Sequence, residues 1–164
     1  MNKQSQKKLK AIYQEIMWLA RRPGVTASKA RSWYTHVRRM NELMRFTGKV
    51  SRAALAPSAT IQVDHYKRLQ AGLTQLVERH KKLKRPNSGE FIRFVRAAER
   101  VHIVTFRENY EARKAGGDYS KAGIELVHWK TLSFKQKERL WRKLVHAKVV
   151  NAATYKPSRS SHTA

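Results

Sequence analysis

The chain contains no cysteine, which excludes disulfides, thiolate metal sites and cysteine nucleophiles together. Acids are scarce, with 11 Asp and Glu against 36 Lys and Arg. Asp64 and Asp118 are the only aspartates, which leaves little material for a two-metal hydrolytic centre. Seven glycines and four prolines interrupt 164 residues, and none of the glycines forms a phosphate-cradling loop. The seven histidines include no HExxH pattern and no adequate ligand cluster. No window approaches the run of about twenty apolar residues that spans a bilayer. The first residues, MNKQSQKKLKAIYQEIMWLARR, lack a signal peptide's apolar stretch and small-residue cleavage site. They are amphipathic and basic, which keeps a mitochondrial presequence open, although Glu15 counts against one. The expected location is a prokaryotic cytoplasm, with the mitochondrial matrix as the alternative.

What is abundant is positive charge. The formal net charge is +25, whereas soluble domains usually sit at a magnitude of about 2 to 8. A folded chain so charged repels itself until a polyanion neutralises it. Phosphate is the natural partner, because each neutralised phosphate also releases condensed counterions. An anionic membrane surface is the competing partner, and the expectation is nucleic acid and no membrane.

Apolar residues recur at helical spacing almost throughout, which predicts an all-α fold of about seven or eight helices in two packed halves. Ile12, Ile16 and Leu19 share one stripe, closed by Arg21-Arg22-Pro23-Gly24. Thr26 or Ser28 opens a second helix with Trp33, Val37, Met40 and Met44 inward, and Thr47-Gly48 ends it. A short piece over 51–56 stops at Pro57. Val63, Tyr66, Leu69, Leu73, Leu76 and His80 form the next face, ending near Pro86. Asn87 or Ser88 then caps a segment with Phe91, Phe94, Val95 and Ala98 inward. Ile103, Phe106 and Tyr110 continue its period as far as Gly116-Gly117. Asp118 caps a helix carrying Tyr119, Ala122, Leu126 and Trp129, and Ser133 caps the last, with Leu140, Trp141, Leu144 and Val145. The expected organisation is an N-terminal half (1–86), a C-terminal half (87–150) and a mobile basic tail (151–164).

The candidate nucleic-acid-binding residues are the basic clusters at helix ends and in the expected linker. They are Arg38 and Arg39, Lys49 and Arg52, and Arg79, Lys81, Lys82, Lys84 and Arg85. Arg93, Arg96 and Arg100 join them, because spacings of three and four place them on adjacent turns of one helix, with Arg107 continuing the row. Arginine forks in such a row take paired phosphate oxygens. Some of these cations solvate an outer face or pair with Glu90, Glu99 and Glu108, but the acids are too few to pair them all. Phe91, Phe94, Phe106, Tyr119, Trp129 and Trp141 lie on the periodic faces and read as core. Trp18 and Tyr155 fall off the stripes and are the candidates for base stacking.

One string is enzyme-like. Asp64-His65, within Ile61-Gln62-Val63-Asp64-His65, is similar to the start of a small metal-dependent nuclease motif. That motif needs a hairpin and further ligands, whereas this segment reads as helical and continues YKRLQAGL. No catalytic residue, metal ligand or cofactor is therefore assigned, and the chain is expected not to be an enzyme.

The C-terminal half runs from Gly89-Glu90-Phe91-Ile92-Arg93-Phe94-Val95-Arg96-Ala97 to Gly117-Asp118-Tyr119. It continues with Leu126-Val127-His128-Trp129 and Arg139-Leu140-Trp141. This order resembles the small, all-helical belly subunit of the type I Cascade CRISPR surveillance complex. There a Phe-rich helix, an Asp-Tyr cap, a helix ending in Trp and a final Arg-x-Trp helix follow one another. A looser likeness covers Met40 to Leu73, with Arg52 and Lys49 in place of a basic patch. The resemblance implies a non-catalytic subunit that packs along a guide-bound filament. Its partners would be guide RNA, target DNA, the other protein subunits and further copies of itself. It would steady the guide–target duplex and the displaced strand through backbone contacts. The alternatives are an RNA-binding assembly or ribosome-associated protein, and a phage or plasmid DNA-binding regulator, although no helix-turn-helix is evident.

Overall fold

The computed structural model describes residues 3–37, 43–65, 69–83 and 87–158. The chain divides into two compact units, each assembled from two stretches: Met1–Arg39 with Lys67–Glu99, and Met40–Tyr66 with Arg100–Ala164. The division therefore does not fall at the expected linker near residue 86.

The first unit is helical. It comprises α1 (Lys3–Ala20), α2 (Ala27–Val37), α3 (Leu69–Lys81) and α4 (Ser88–Ala98). On α1, Leu9, Ile12, Tyr13, Ile16, Met17 and Ala20 are buried, a stripe at helical period. They meet Tyr34 of α2, Leu73, Leu76 and Val77 of α3, and Phe91, Ile92 and Val95 of α4, all of which are buried. Gly72 is explained by close approach, since a Cβ there would lie 2.6 Å from Cζ of Phe94. Asn87 caps α4 by accepting from the backbone N–H groups of Gly89 and Glu90, as its chemistry predicts. Trp33, expected inward, is exposed and donates its ring N–H to Glu15 at 2.5 Å, while Tyr34 takes the buried position.

The second unit overturns the all-α expectation. It contains β1 (Arg45–Ser51), β2 (Ile61–His65), β3 (Arg100–Thr105), α5 (Phe106–Lys114), β4 (Leu126–His128) and α6 (Phe134–Leu140). The sheet order is β2-β3-β1-β4, with β1 parallel to β3 and the other two pairs antiparallel. After α6 the chain continues through a π-helical segment, Trp141–Val145, and a last turn, His146–Lys148. One face of the sheet carries Phe46, Val50, Val101 and Ile103 into a core with Trp129, Leu132, Leu140, Leu144 and Val145.

The physical reason for the miss lies in β3. Val101, His102, Ile103 and Val104 are all buried, so both faces are covered and no polar alternation marks the strand. Ile103, Phe106 and Tyr110 are spaced like a helical stripe. Ile103 belongs to the sheet, however, and Phe106 and Tyr110 are exposed on α5. The segment expected as an Asp118-capped helix is instead a turn followed by β4 and a 3₁₀ turn at Trp129–Thr131. The described part of the tail is tied down. Asn151 bridges the backbone N–H and carbonyl of Phe46, and Tyr155 packs on Phe46 and Trp129.

Candidate nucleic-acid interface

The twelve predicted residues divide between the units. Arg79, Lys81, Lys82, Arg93 and Arg96 belong to the helical unit; Lys49, Arg52 and Arg100 belong to the sheet unit. Arg38, Arg39, Lys84 and Arg85 lie outside the described residues. The single helical row through Arg93, Arg96, Arg100 and Arg107 does not exist. Arg93 and Arg96 are exposed on α4, Arg100 begins β3, and Arg107 is on α5.

Among the described residues, Arg52 and Arg79 are paired with carboxylates. Arg52 donates to both carboxylate oxygens of Glu125, at 2.6 and 2.5 Å, an exposed fork. That fork holds the Glu125 carboxyl below its ordinary range. Arg79 is hydrogen-bonded to Glu90. Lys81 donates to the Val25 carbonyl at 3.2 Å. Lys49, Lys82, Arg93, Arg96 and Arg100 are exposed.

Within the sheet unit the strands do gather charge. Arg45 stands opposite Arg100 across the parallel β1–β3 pair, and both are exposed. Like charges directly opposite oppose pairing, and an anion between them removes the penalty. Lys49 shares the face of Arg45 and Thr47 along β1. Beneath them His102 is buried, with Nδ1 2.5 Å from Thr47 Oγ. Burial first, then the charges of Lys49 and Arg100, push the His102 pKa down to about 4. Arg45 was missed by sequence reasoning, because only the strand register places it beside Arg100.

The helical unit holds a different arrangement. A cleft of about 570 Å³ lies beside α1 next to the start of α4, lined by Lys10, Gln14, Trp18, Arg21 and Arg22, by the buried Tyr13 and Met17, and by Ser88 of α4. Tyr13 is fixed by a polar chain: its hydroxyl lies 2.5 Å from His80 Nδ1. His80 Nε2 donates to Glu90 at 2.7 Å, which leaves Nδ1 to accept from Tyr13. Burial and the charge of Glu90 push the Tyr13 pKa up to about 12, so its phenol stays protonated and is no nucleophile. Of the two proposed stacking candidates, Tyr155 is absorbed into packing, and Trp18 is 58% exposed at the cleft.

Asp64-His65 sits on β2, not on a helix. β2 is antiparallel to β3, with Asp64 opposite His102, and α5 follows β3 directly. Asp64 accepts from the Tyr119 hydroxyl at 2.7 Å. Among the described residues no group of three or more His, Cys, Asp and Glu could hold a metal ion. No helix among them is long and apolar enough to cross a membrane. Compared with known proteins, the chain matches no family model, no curated protein and no solved structure.

Proposed function

We propose that this chain binds nucleic acid through the phosphate backbone and reads no sequence. What supports the reading is a surface charge that the acids do not balance: 36 Lys and Arg face 11 acids, and several of those acids are engaged by neutral donors. Glu15 accepts from Trp33, Glu99 from Tyr34, and Asp64 from Tyr119. The finer expectation, a small subunit of an RNA-guided complex, rested on an all-helical pattern. Here Trp129 and Trp141 pack in the sheet unit rather than fastening three helices, so the proposal stops at nucleic-acid binding.

The experiment is a salt titration of binding to single- and double-stranded DNA and RNA of scrambled sequence. Log K should fall linearly with log salt, with a slope of roughly −0.7 per phosphate on single strands. Reversing Arg93, Arg96 and Lys82 to Glu should flatten that slope, and reversing Lys135, Lys137 and Lys143 should do less. A hundredfold sequence preference that persists at high salt would defeat the proposal.

A second reading, hydrolysis at Asp64-His65, gains one observation: the segment lies on a strand, not on the helix that argued against it, although β2 and β3 are joined through α3 and α4 and form no hairpin. The donor set does not complete a metal centre among the described residues, so no catalytic step follows from it. Incubation of plasmid and single-stranded DNA with magnesium, manganese or zinc decides the matter. Nicking by the wild type that is absent from His65→Ala establishes the second reading, and an intact substrate in every case removes it.

A further inference from the structure

We infer that the cleft on α1 is a subsite for one unstacked nucleotide of a single strand, with the base on Trp18 and the phosphates on Lys10 and Arg21. This rests on the nucleic-acid reading and goes beyond it, because phosphate neutralisation alone requires no aromatic contact.

Lys10, Gln14 and Trp18 are spaced four apart, so they form one row along α1, and all three are exposed. The buried stripe of the same helix runs through Leu9, Ile12, Tyr13, Ile16 and Met17, which leaves Trp18 outside the core. A tryptophan left 58% exposed forgoes burial that a core site would provide. Trp33, the other exposed indole, is accounted for by Glu15. Arg22 lies over Trp18 with its guanidinium carbon 4.0 Å from the ring centroid, a contact that steadies the indole plane.

Charge selects the ligand. Three cations, Lys10, Arg21 and Arg22, line the cleft, and no acid is among its lining residues. Its volume of about 570 Å³ falls within the range of small-molecule sites. An aromatic plane flanked by cations is the arrangement by which single-strand binders hold bases and backbone together. Gln14, midway along the row, offers an amide to a base edge.

The test compares oligothymidylate with an abasic deoxyribose-phosphate strand of equal length, for the wild type, Trp18→Ala and Trp18→Phe. Wild-type protein should bind oligothymidylate more tightly than the abasic strand and lose Trp18 fluorescence on binding. Trp18→Ala should weaken oligothymidylate binding about tenfold, and Trp18→Phe less, with the abasic strand unaffected. Both variants replace an exposed side chain, and a melting curve confirms that each is folded. If the wild type binds the two strands equally and Trp18→Ala changes neither, the subsite is overturned while backbone binding stands. If neither strand binds at all, both readings fall. If a polyglutamate peptide binds with the same Trp18 dependence while oligothymidylate does not, the cleft belongs to an acidic protein partner and the inference is wrong.

Discussion

The helical unit carries 19 Lys and Arg against four Glu, and the sheet unit 17 against seven acids, giving net charges of +15 and +10. The units also use their acids differently. In the sheet unit Glu125 grips Arg52, Glu138 holds Arg142 at 2.8 Å, and Glu111 lies 3.6 Å from Lys114. Glu108 closes a capping box at the start of α5 and accepts from Ser51. In the helical unit Glu15 accepts from the Trp33 ring N–H and Glu99 from the Tyr34 hydroxyl, while Glu90 pairs with Arg79 and anchors the Tyr13–His80 chain. With a net charge of +15 against +10, the helical unit is the more positive of the two toward a polyanion. The sheet unit pairs Arg52, Lys114 and Arg142 locally and sets Arg45 opposite Arg100 across the β1–β3 pair.

The largest expected effect separates the indoles of the two units. Trp129 is 6% exposed and makes edge contacts with Phe46 and Tyr155 at centroid distances of 5.4 and 5.8 Å. Trp129→Ala should cost about 3 to 5 kcal/mol of stability in denaturant titration. Trp18→Ala should leave the midpoint almost unchanged, because an exposed side chain leaves no cavity. Equal costs at the two positions would mean that Trp18 is packed and that its cleft is structural.

How far these differences were legible depends on how local their causes are. Asn87 and Ser133 announced their helices because a cap is a contact between a side chain and N–H groups two or three residues away. The α1 stripe was equally plain, and Trp18's place off it marked the residue correctly as surface. β1 and β3 were invisible for the opposite reason, since each is a strand through pairing with segments distant in sequence, Phe46 with Val101, Lys49 with His128 and Val63 with Ile103. The same non-locality hid Arg45 and turned Arg100 from a helical neighbour of Arg96 into a strand terminus. The Arg52–Glu125 fork, joining residues 73 apart, likewise left no trace in spacing.

Acid should sharpen the contrast next. His102 titrates at about 4 in the folded chain against an ordinary value of 6.5, so the unfolded chain binds its proton first. The stabilisation is whole above pH 6.5 and declines as pH falls to about 4, by at most roughly 3 kcal/mol. In the helical unit the hydrogen bond from His80 holds the Glu90 carboxyl below its ordinary 4.5. Its contribution is present above that value and is lost only as pH falls through the lower folded pKa. Amide exchange followed from neutral pH downward should therefore open the sheet unit before the helical one. His102→Gln should remove most of the early loss, and an unchanged pH profile in that variant would refute the assignment.

The smallest effect concerns Arg52, a predicted phosphate contact whose carboxylate partner competes with phosphate for the same fork. Both side chains are exposed, at 64% and 61%, so solvent screens the pair and melting should not register its loss. Binding should register it, and in an unusual direction. Glu125→Gln removes a negative charge and frees both guanidinium edges, so affinity for single strands should rise. The salt slope should steepen by roughly 0.7, the increment for one further phosphate. Arg52→Ala in the wild-type background should change little, because that cation is already committed, but it should cancel the gain in the Glu125→Gln background. Arg100→Ala should weaken binding in either background, since the carboxylate that mutes Arg52 is not its neighbour on the strand. If Arg52→Ala and Arg100→Ala weaken wild-type binding equally, the fork yields to phosphate without cost, and the acids of the sheet unit do not govern which of its cations reach the nucleic acid.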